Sequence, residues 1–500
     1  MNGKESNPSR ELWPLRTSLS KELSSSGHHA FSLPTNDVPE APQPSEQMGR
    51  GQKPGLPEMS ELEVVRHFTR LSHFNYSIDG GFYPLGSCTM KYNPRINEYT
   101  ASHPDFMHLH PLTPPHLVQG ALELMFRLEN ALAEISGFAR VSLQPAAGAQ
   151  GEYTGIRMMK ACLESKGDFR KKILIPESAH GTNPATAAIC GYEVVQIKTN
   201  ERGLLDINQI DQLTREGNVA GLMVTNPNTC GLFEEEIRRA VDLIHDRGGL
   251  VYCDGANMNA MLGITRPGDA GFDVMHFNLH KTFTTPHGGG GPGCGGVGVS
   301  KTLIPFLPVP TIEKNPTQEG AFIMDYDRPQ TIGKVKDFYG HFLMQVRAYT
   351  YIRELGAEGI RKAGEDAVLL ANYVRARLKD HFELPYDRPC MHEVVFSDKK
   401  QLANGIKTLD MAKRLIDMGI HPPTVYFPLL IPGALMIEPT ETESLDSVEE
   451  FCEAMIQIAK EAAEPNAFAK YFENCPRTTP FGRVNETKAA KDLILTWKSL

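Results

Sequence analysis

Six short apolar runs, each bounded by turn residues, constrain this chain more than any other feature. They are KKILIP (171–176), EVVQIK (193–198), GLMVTNP (221–227), GLVYCDG (249–255), DVMHFNLH (273–280) and GGVGVS (295–300). Helical stretches such as EEEIRRAVDLIHDRG (234–248) lie between several of them. Strands alternating with helices imply crossover connections, and these build a mostly parallel sheet covered by helices. The expectation is an α/β domain. A helix over 117–135 precedes the runs, and a longer one over 338–378 follows them. The strand-like ALMIEPT (434–440) and helix-like VEEFCEAMIQIAKEAAE (448–464) indicate a smaller α+β portion near the C-terminus. Residues 1–60 are rich in Pro, Ser and Gly and read as an arm, and ELEVVRHFTRLSHFN from Glu61 reads as an amphipathic helix. Three regions follow: an arm over 1–60, a large domain with a preceding helical segment over 61–380, and a small domain with a tail over 381–500.

Charge and cysteine usage narrow the class. Sixty Asp and Glu against 51 Lys and Arg leave a net charge of −9 with no basic stripe, so nucleic acid is not an expected partner. No apolar run approaches the roughly 18 residues of a membrane span. MNGKESNPSRELWPLRTSLSK (1–21) lacks the apolar stretch of about 7–15 residues that a signal peptide carries. A cytoplasmic chain is expected, with no membrane partner. The nine cysteines form no CxxC pair, so reduced buried thiols are expected and no metal site.

The ends of the apolar runs carry polar residues of particular types. Lys281 follows DVMHFNLH, beside His280 and ahead of a Thr-rich and Gly-rich loop. Asp254 ends GLVYCDG, where a carboxylate is costly to bury without a partner. His180 follows KKILIP, and Thr229 follows GLMVTNP. QPAAGAQGEYTG (144–155) is a small-residue turn opening a helix, where Ala147, Gly148, Ala149 and Gln150 offer N–H groups to an anion. Each feature has a plainer reading: a solvated lysine, a helix N-cap aspartate, a structural histidine, a tightly packed helix start. Together they supply what pyridoxal phosphate needs on a parallel sheet. Lys281 would form the Schiff base, Asp254 would keep the pyridine nitrogen protonated, and His180 would cover the ring. Thr229 would bond the ring hydroxyl, and the 147–150 turn would hold the phosphate.

The spacing of Asp254 and the His280–Lys281 pair resembles fold-type I pyridoxal-phosphate enzymes. Longer motifs resemble one family within that class, glycine dehydrogenase (decarboxylating), the P-protein of the glycine cleavage system. They are PLGSCTMKYNP (84–94), QPAAGAQGEYTG, ESAHGTNPATA (177–187), DGANMNA (254–260), HFNLHKTFTTPHGGGGPG (276–293) and HPPTVYFPLLIPGALMIEPTETES (421–444). In size and in keeping the lysine the chain is similar to the separate subunit 2 of that family. The likeness runs from about residue 14 to the C-terminus. It implies decarboxylation of glycine, transfer of the aminomethyl group to the lipoyl group of H-protein, and assembly with subunit 1. It also implies that Ser87, Thr89 and Lys91, or Arg95, bind the substrate carboxylate. Glu438, Thr440, Glu441 and His421 would line the lipoyl entry. Cys88 invites a nucleophile reading, but no base is assigned to it. Two other readings stay open. One is a different fold-type I decarboxylase, aminotransferase or sulfur-transfer lyase, with Arg477 as a carboxylate ligand. The other is a non-catalytic scaffold subunit.

Overall fold

A computed structural model describes residues 18–42, 45, 47–49, 51–52, 54–288, 293–480 and 482–495. They form two compact units, one from the described parts of 1–80 and 474–500 and one from 81–473. In the first, helix α1 (Glu61–Ser72) begins at Ser60, and the Ser60 and Glu63 side chains each accept from the other residue's backbone N–H. This reciprocal cap satisfies two donors that a helix start otherwise leaves open. The described residues ahead of α1 contain no helix or strand. They fold back on Glu58, which accepts from the N–H groups of Ser25 and Gly27. The first 17 residues of the expected arm, and 289–292 of the glycine-rich run, lie outside the described residues.

The second unit is built on a seven-stranded sheet, in the order β1-β7-β6-β5-β4-β2-β3. Its strands are β1 (Arg140–Ser142), β2 (Lys172–Pro176), β3 (Glu193–Ile197), β4 (Val219–Thr225), β5 (Leu250–Gly255), β6 (Val274–Asn278) and β7 (Gly295–Val299). The pairs among β2 to β6 are parallel, whereas β7 runs antiparallel to both β6 and β1. The six apolar runs are therefore strands; those of β2, β4, β5, β6 and β7 read as continuous because both their faces are buried, whereas β3, at the sheet edge, exposes Glu193 and Gln196. β5, β6 and β7 are buried at every residue. Helix α2 (Gln119–Ser136) buries Leu128 and Leu132 fully, and α3 (Gly148–Ser165), α4 (Thr182–Ile189) and α5 (Ile237–Asp246) follow in the crossovers. β8 (Thr311–Lys314) and β9 (Phe322–Asp325) form a separate hairpin.

The long helix α6 (Phe342–Leu378) starts four residues later than the sequence indicates and is broken in the middle. Gly356 sits at φ 62°, ψ −172°, outside the helical region, and joins two helical segments. Beyond it lies a three-stranded antiparallel sheet of β10 (Val394–Ser397), β11 (Thr424–Val425) and β12 (Ala434–Ile437), backed by α7 (Leu445–Ala463). Its core includes Ala371, Val374 and Leu378 from α6, and Phe82. The 84–89 segment lies along β12: Leu85 bridges to Ile437, and the Glu438 N–H donates to the Pro84 carbonyl. No helix among the described residues is long and apolar enough to cross a membrane.

Candidate active site

The four neighbouring parallel strands β6, β5, β4 and β2 end at one edge of the sheet. Loops leaving such an edge at their C-terminal ends are where α/β sheets bind ligands. Here, with segments from elsewhere in the chain, they border a cleft lined by Ser87, His180, Thr225, Pro227, Thr229, Asp254, Ala256, Asn257, Lys281, His392 and Glu393. Lys281, Asp254, His180, Thr229 and Ser87 are thus brought together, although 194 residues separate Ser87 from Lys281. A more apolar groove around Phe106, Leu122 and Met125 contains none of them.

Asp254 is buried on β5, in register with His276 of β6. Its Oδ2 accepts from Asn183 Nδ2 at 3.0 Å and its Oδ1 from the Ala256 N–H at 3.0 Å. Burial pushes this carboxyl up. His276, the Asn183 amide, His180 and the Ala256 N–H more than offset that, so it sits below its ordinary value and is ionised at neutral pH. Burial in turn holds His276 below the ordinary imidazole range. The His276 ring stands 3.6 Å from Asp254. Asn183 also donates to Glu152 at 3.1 Å, and Thr182 donates to Glu152 at 2.9 Å. His180 Nδ1 lies 2.9 Å from that same Thr182 hydroxyl, so Glu152 orders the groups on either side of Asp254. Burial, and then Asp254, raise Glu152 to about 7.

Lys281 lies three residues past the end of β6, and its Nζ donates to the Ser87 carbonyl at 2.6 Å. Thr229 has its hydroxyl proton committed to the Ser178 carbonyl at 2.7 Å, so toward the cleft it offers an acceptor. Ala147 immediately precedes α3, whose first turn has no side-chain cap. The start of α3 is pressed onto β6: a Cβ on Gly148 would lie 1.8 Å from Asn278 Oδ1. The Ala147–Gln150 turn therefore offers its N–H groups from a position where Gly148 has no room for a side chain.

Other residues singled out by sequence lie elsewhere. His280 does not line the cleft; its Nδ1 is held at the backbone of Cys294. Lys91 is buried in an ion pair with Glu441 and donates to the Tyr351 hydroxyl at 3.1 Å, so its charge is already neutralised. Thr89 gives both its N–H and its hydroxyl to Glu438 at 3.2 Å. Of the four residues named for the substrate carboxylate, Ser87, Thr89, Lys91 and Arg95, only Ser87 lines the cleft. Arg95 lies over the Tyr92 ring, and His421 is stacked on Tyr83 at 3.8 Å. Neither they nor Thr440, Glu441 and Arg477 line the cleft. Conversely, Thr225, Asn257, His392 and Glu393 line it and were not foreseen. Thr225 closes the run GLMVT and so carried a positional signal. His392 and Glu393 immediately precede β10 of the small sheet, far in sequence from the motifs around Lys281.

Two further predictions arise from this region. Gly231 holds the loop after Thr229 against the small sheet at φ 73°, and a Cβ there would lie 2.0 Å from the Glu393 carbonyl oxygen. Gly231→Ala combines a left-handed backbone penalty with overpacking and is expected to cost roughly 2–5 kcal/mol, read as a lowered midpoint in urea unfolding. The second concerns pH. Burial raises Glu129, Glu152, Glu234, Glu393 and Glu438 to about 8, 7, 7, 8 and 7. Between 4.5 and these values the folded chain keeps protons that the unfolded chain has lost, so stability falls as pH rises through that window. Glu98, Glu235 and Glu449, held low by Arg347, Arg202 and Arg377, work the other way and lose their contribution below 4.5. The histidines that burial holds low, such as His280 at about 4 and His392 at about 3, add stability as pH rises only up to 6.5, so thermal unfolding is expected to show a lower Tm at pH 8 than at pH 6.5. A Tm rising steadily to pH 8 would contradict this.

Comparison with known proteins adds to the geometry. Residues 363–477 match the family described as glycine dehydrogenase, C-terminal domain, and residues 150–299 match aminotransferase class-V. The chain is 53% identical to the probable glycine dehydrogenase (decarboxylating) subunit 2 of Caldanaerobacter subterraneus, over 96% of this chain and 98% of that one. It is 54% identical to the protein of the same description from Halalkalibacterium halodurans, with the same coverage. Among solved structures it is similar to a glycine decarboxylase (P-protein) of the glycine cleavage system in inhibitor-bound form. That likeness has a TM-score of 0.70 at 20% identity and covers 83% of this chain and 93% of the other. A cysteine desulfurase from Thermococcus onnurineus shares the fold at a TM-score of 0.56 and 16% identity, over 75% and 94%.

Proposed function

Because this chain belongs to the glycine dehydrogenase (decarboxylating) subunit 2 family, we propose that it decarboxylates glycine with pyridoxal phosphate held at Lys281 and Asp254. The observation that carries the proposal is the pairing of a lysine amine and a buried, ionised aspartate on one cleft, at the ends of adjacent parallel strands. The residues present fit this cofactor. Among the described residues Asp254 has no Lys or Arg ion-pair partner, and the buried Thr225 hydroxyl has no hydrogen-bond partner. The uncapped start of α3 suits a phosphate. Bound there, pyridoxal phosphate supplies an aldehyde that joins covalently to an amine and a ring that takes up the electrons a departing carboxylate leaves behind.

The chain's own groups do the rest. Lys281 would hold the cofactor through its aldehyde. Asp254, fixed by Asn183 and the Ala256 N–H, would keep a proton on the ring nitrogen. His180 would cover the ring, and the Thr229 oxygen would accept from the ring hydroxyl. The N–H groups of Gly148 and Ala149 would hold the phosphate. Ser87 would reach the substrate from the cleft lining. Glycine is selected by exclusion, since fit to one methylene more or less is worth only about 1–3 kcal/mol. The aminomethyl group goes to the disulfide of a lipoyl group on H-protein, and the working enzyme includes subunit 1. The test is exchange of label between CO₂ and the glycine carboxylate in the chain reconstituted with subunit 1 and lipoylated H-protein. Exchange at the rate of a protein-free control overturns the proposal.

A further inference from the structure

The small sheet carries a second pair of carboxyls, Glu393 lining the cleft and Glu438 close beside it. Glu393 precedes β10 and Glu438 follows β12, and both are buried, at 4% and 0% exposed. Glu393 Oε2 accepts from the Ser87 N–H at 3.0 Å. Glu438 Oε2 accepts from Thr89, and its Oε1 accepts from Asn257 Nδ2 at 2.7 Å. His392 Nε2 stands 3.8 Å from Glu393 Oε2, while its buried Nδ1 has no hydrogen-bond partner among the described residues. Polar atoms of His392, Glu393 and Glu438 lie within 4.8 Å of one another. Among the described residues neither carboxyl forms an ion pair with a Lys or Arg. Two carboxylates this close and this deeply buried repel too strongly for both to be ionised. Ser87 ties them to the lysine, since its N–H donates to Glu393 and its carbonyl accepts from Lys281.

We infer that Glu393 and Glu438 share one proton in the substrate-free site, and that the carboxylate left over takes a second proton from the ammonium of an entering amino acid. The second half of this inference rests on the reading of the site given above. An amino acid arrives as an ammonium and cannot replace the Lys281 amine until it loses a proton. An N–H bond breaks, its electron pair stays on nitrogen, and an O–H bond forms on the pair; no oxidant or reductant takes part. The proton returns when an amine leaves the site. The titratable groups facing the pair are Lys281, Cys88, His392, Glu441, Cys230 and Cys390. Burial and then Glu438 hold Glu393 up, burial holds Glu438 up, and Lys281 draws both down.

The test is isotope-edited infrared spectroscopy of the full chain with ¹³C-glutamate, without substrate. The wild-type spectrum minus that of the Glu393→Gln/Glu438→Gln double variant isolates the pair. One protonated carboxyl at neutral pH is expected, and none or two overturns the shared proton. In each single Gln variant the remaining acid loses its like-charged neighbour and is expected to titrate about one unit lower or more; an unmoved titration overturns the coupling. A measurement on the wild type alone covers variants that fail to fold. When glycine is mixed with cofactor-loaded protein at neutral pH, an indicator dye is expected to register no proton released to bulk water. Release of one proton per site overturns the transfer step. The infrared result needs no substrate, so its failure stands apart from any failure of glycine–CO₂ exchange.

Discussion

Lys281→Ala is expected to leave the chain folded and to abolish glycine–CO₂ exchange, with a loss on the order of 10⁴-fold or more. The fold should survive because Lys281 is only half-buried and its side chain's hydrogen bond goes to a backbone carbonyl. Ser87 keeps its second tether, the N–H bond to Glu393. Borohydride treatment separates this from a general loss of structure. In the wild type it should bleach the yellow colour and fix the cofactor to the peptide carrying Lys281; in the variant nothing should be fixed. Substantial turnover by Lys281→Ala, at an unchanged circular-dichroism spectrum, would refute the assignment.

Asp254→Asn should cost on the order of 10³-fold in exchange, the scale on which a preorganised electrostatic partner acts. The substitution is nearly isosteric, so the argument turns on hydrogen-bond polarity. Both Asp254 oxygens already face donors, Asn183 Nδ2 on one side and the Ala256 N–H on the other. An amide can offer only one oxygen, so its NH₂ must meet one of those donors head-on. That adds about 1–3 kcal/mol of destabilisation from an unsatisfied buried group. Since the folded Asp254 carboxyl lies below its ordinary value, its contribution to stability is full at neutral pH and is lost only as pH falls below 3.8. The Tm difference between wild type and variant should therefore shrink in acid. A variant with unchanged exchange would remove Asp254 from its role.

The sheet was legible because burial on both faces writes itself as continuous apolar runs, and six of its seven strands announced themselves that way. β1 escaped notice because it is three residues long and pairs antiparallel with β7, so no crossover helix marks it. The break at Gly356 was hidden inside a helical pattern that resumes immediately after it. Residues at the large sheet's edge were legible for the same reason as the sheet: chemistry at strand ends has an address in the sequence. The pairing of Lys91 was not legible, since nothing in PLGSCTMKYNP hints at a Glu441 that lies 350 residues away and neutralises it. His392 and Glu393 stayed invisible because only the tertiary fold brings the start of β10 to Lys281.

The segment running along β12 has a consequence for how the protein is made. Thr89 and Glu438 are 349 residues apart in sequence, and the loop that touches Lys281 is fastened by such contacts. Closing so long a loop is slow, and a chain emerging from the ribosome cannot close it until β12 has been synthesised. The large sheet can form first, complete in its hydrogen bonding from β1 to β7, while the wall carrying Ser87 is still absent. Maturation of the cleft is thus a late event in biosynthesis, and a nascent chain arrested before residue 434 would hold Lys281 and Asp254 on a finished sheet without the partner wall that makes them a site.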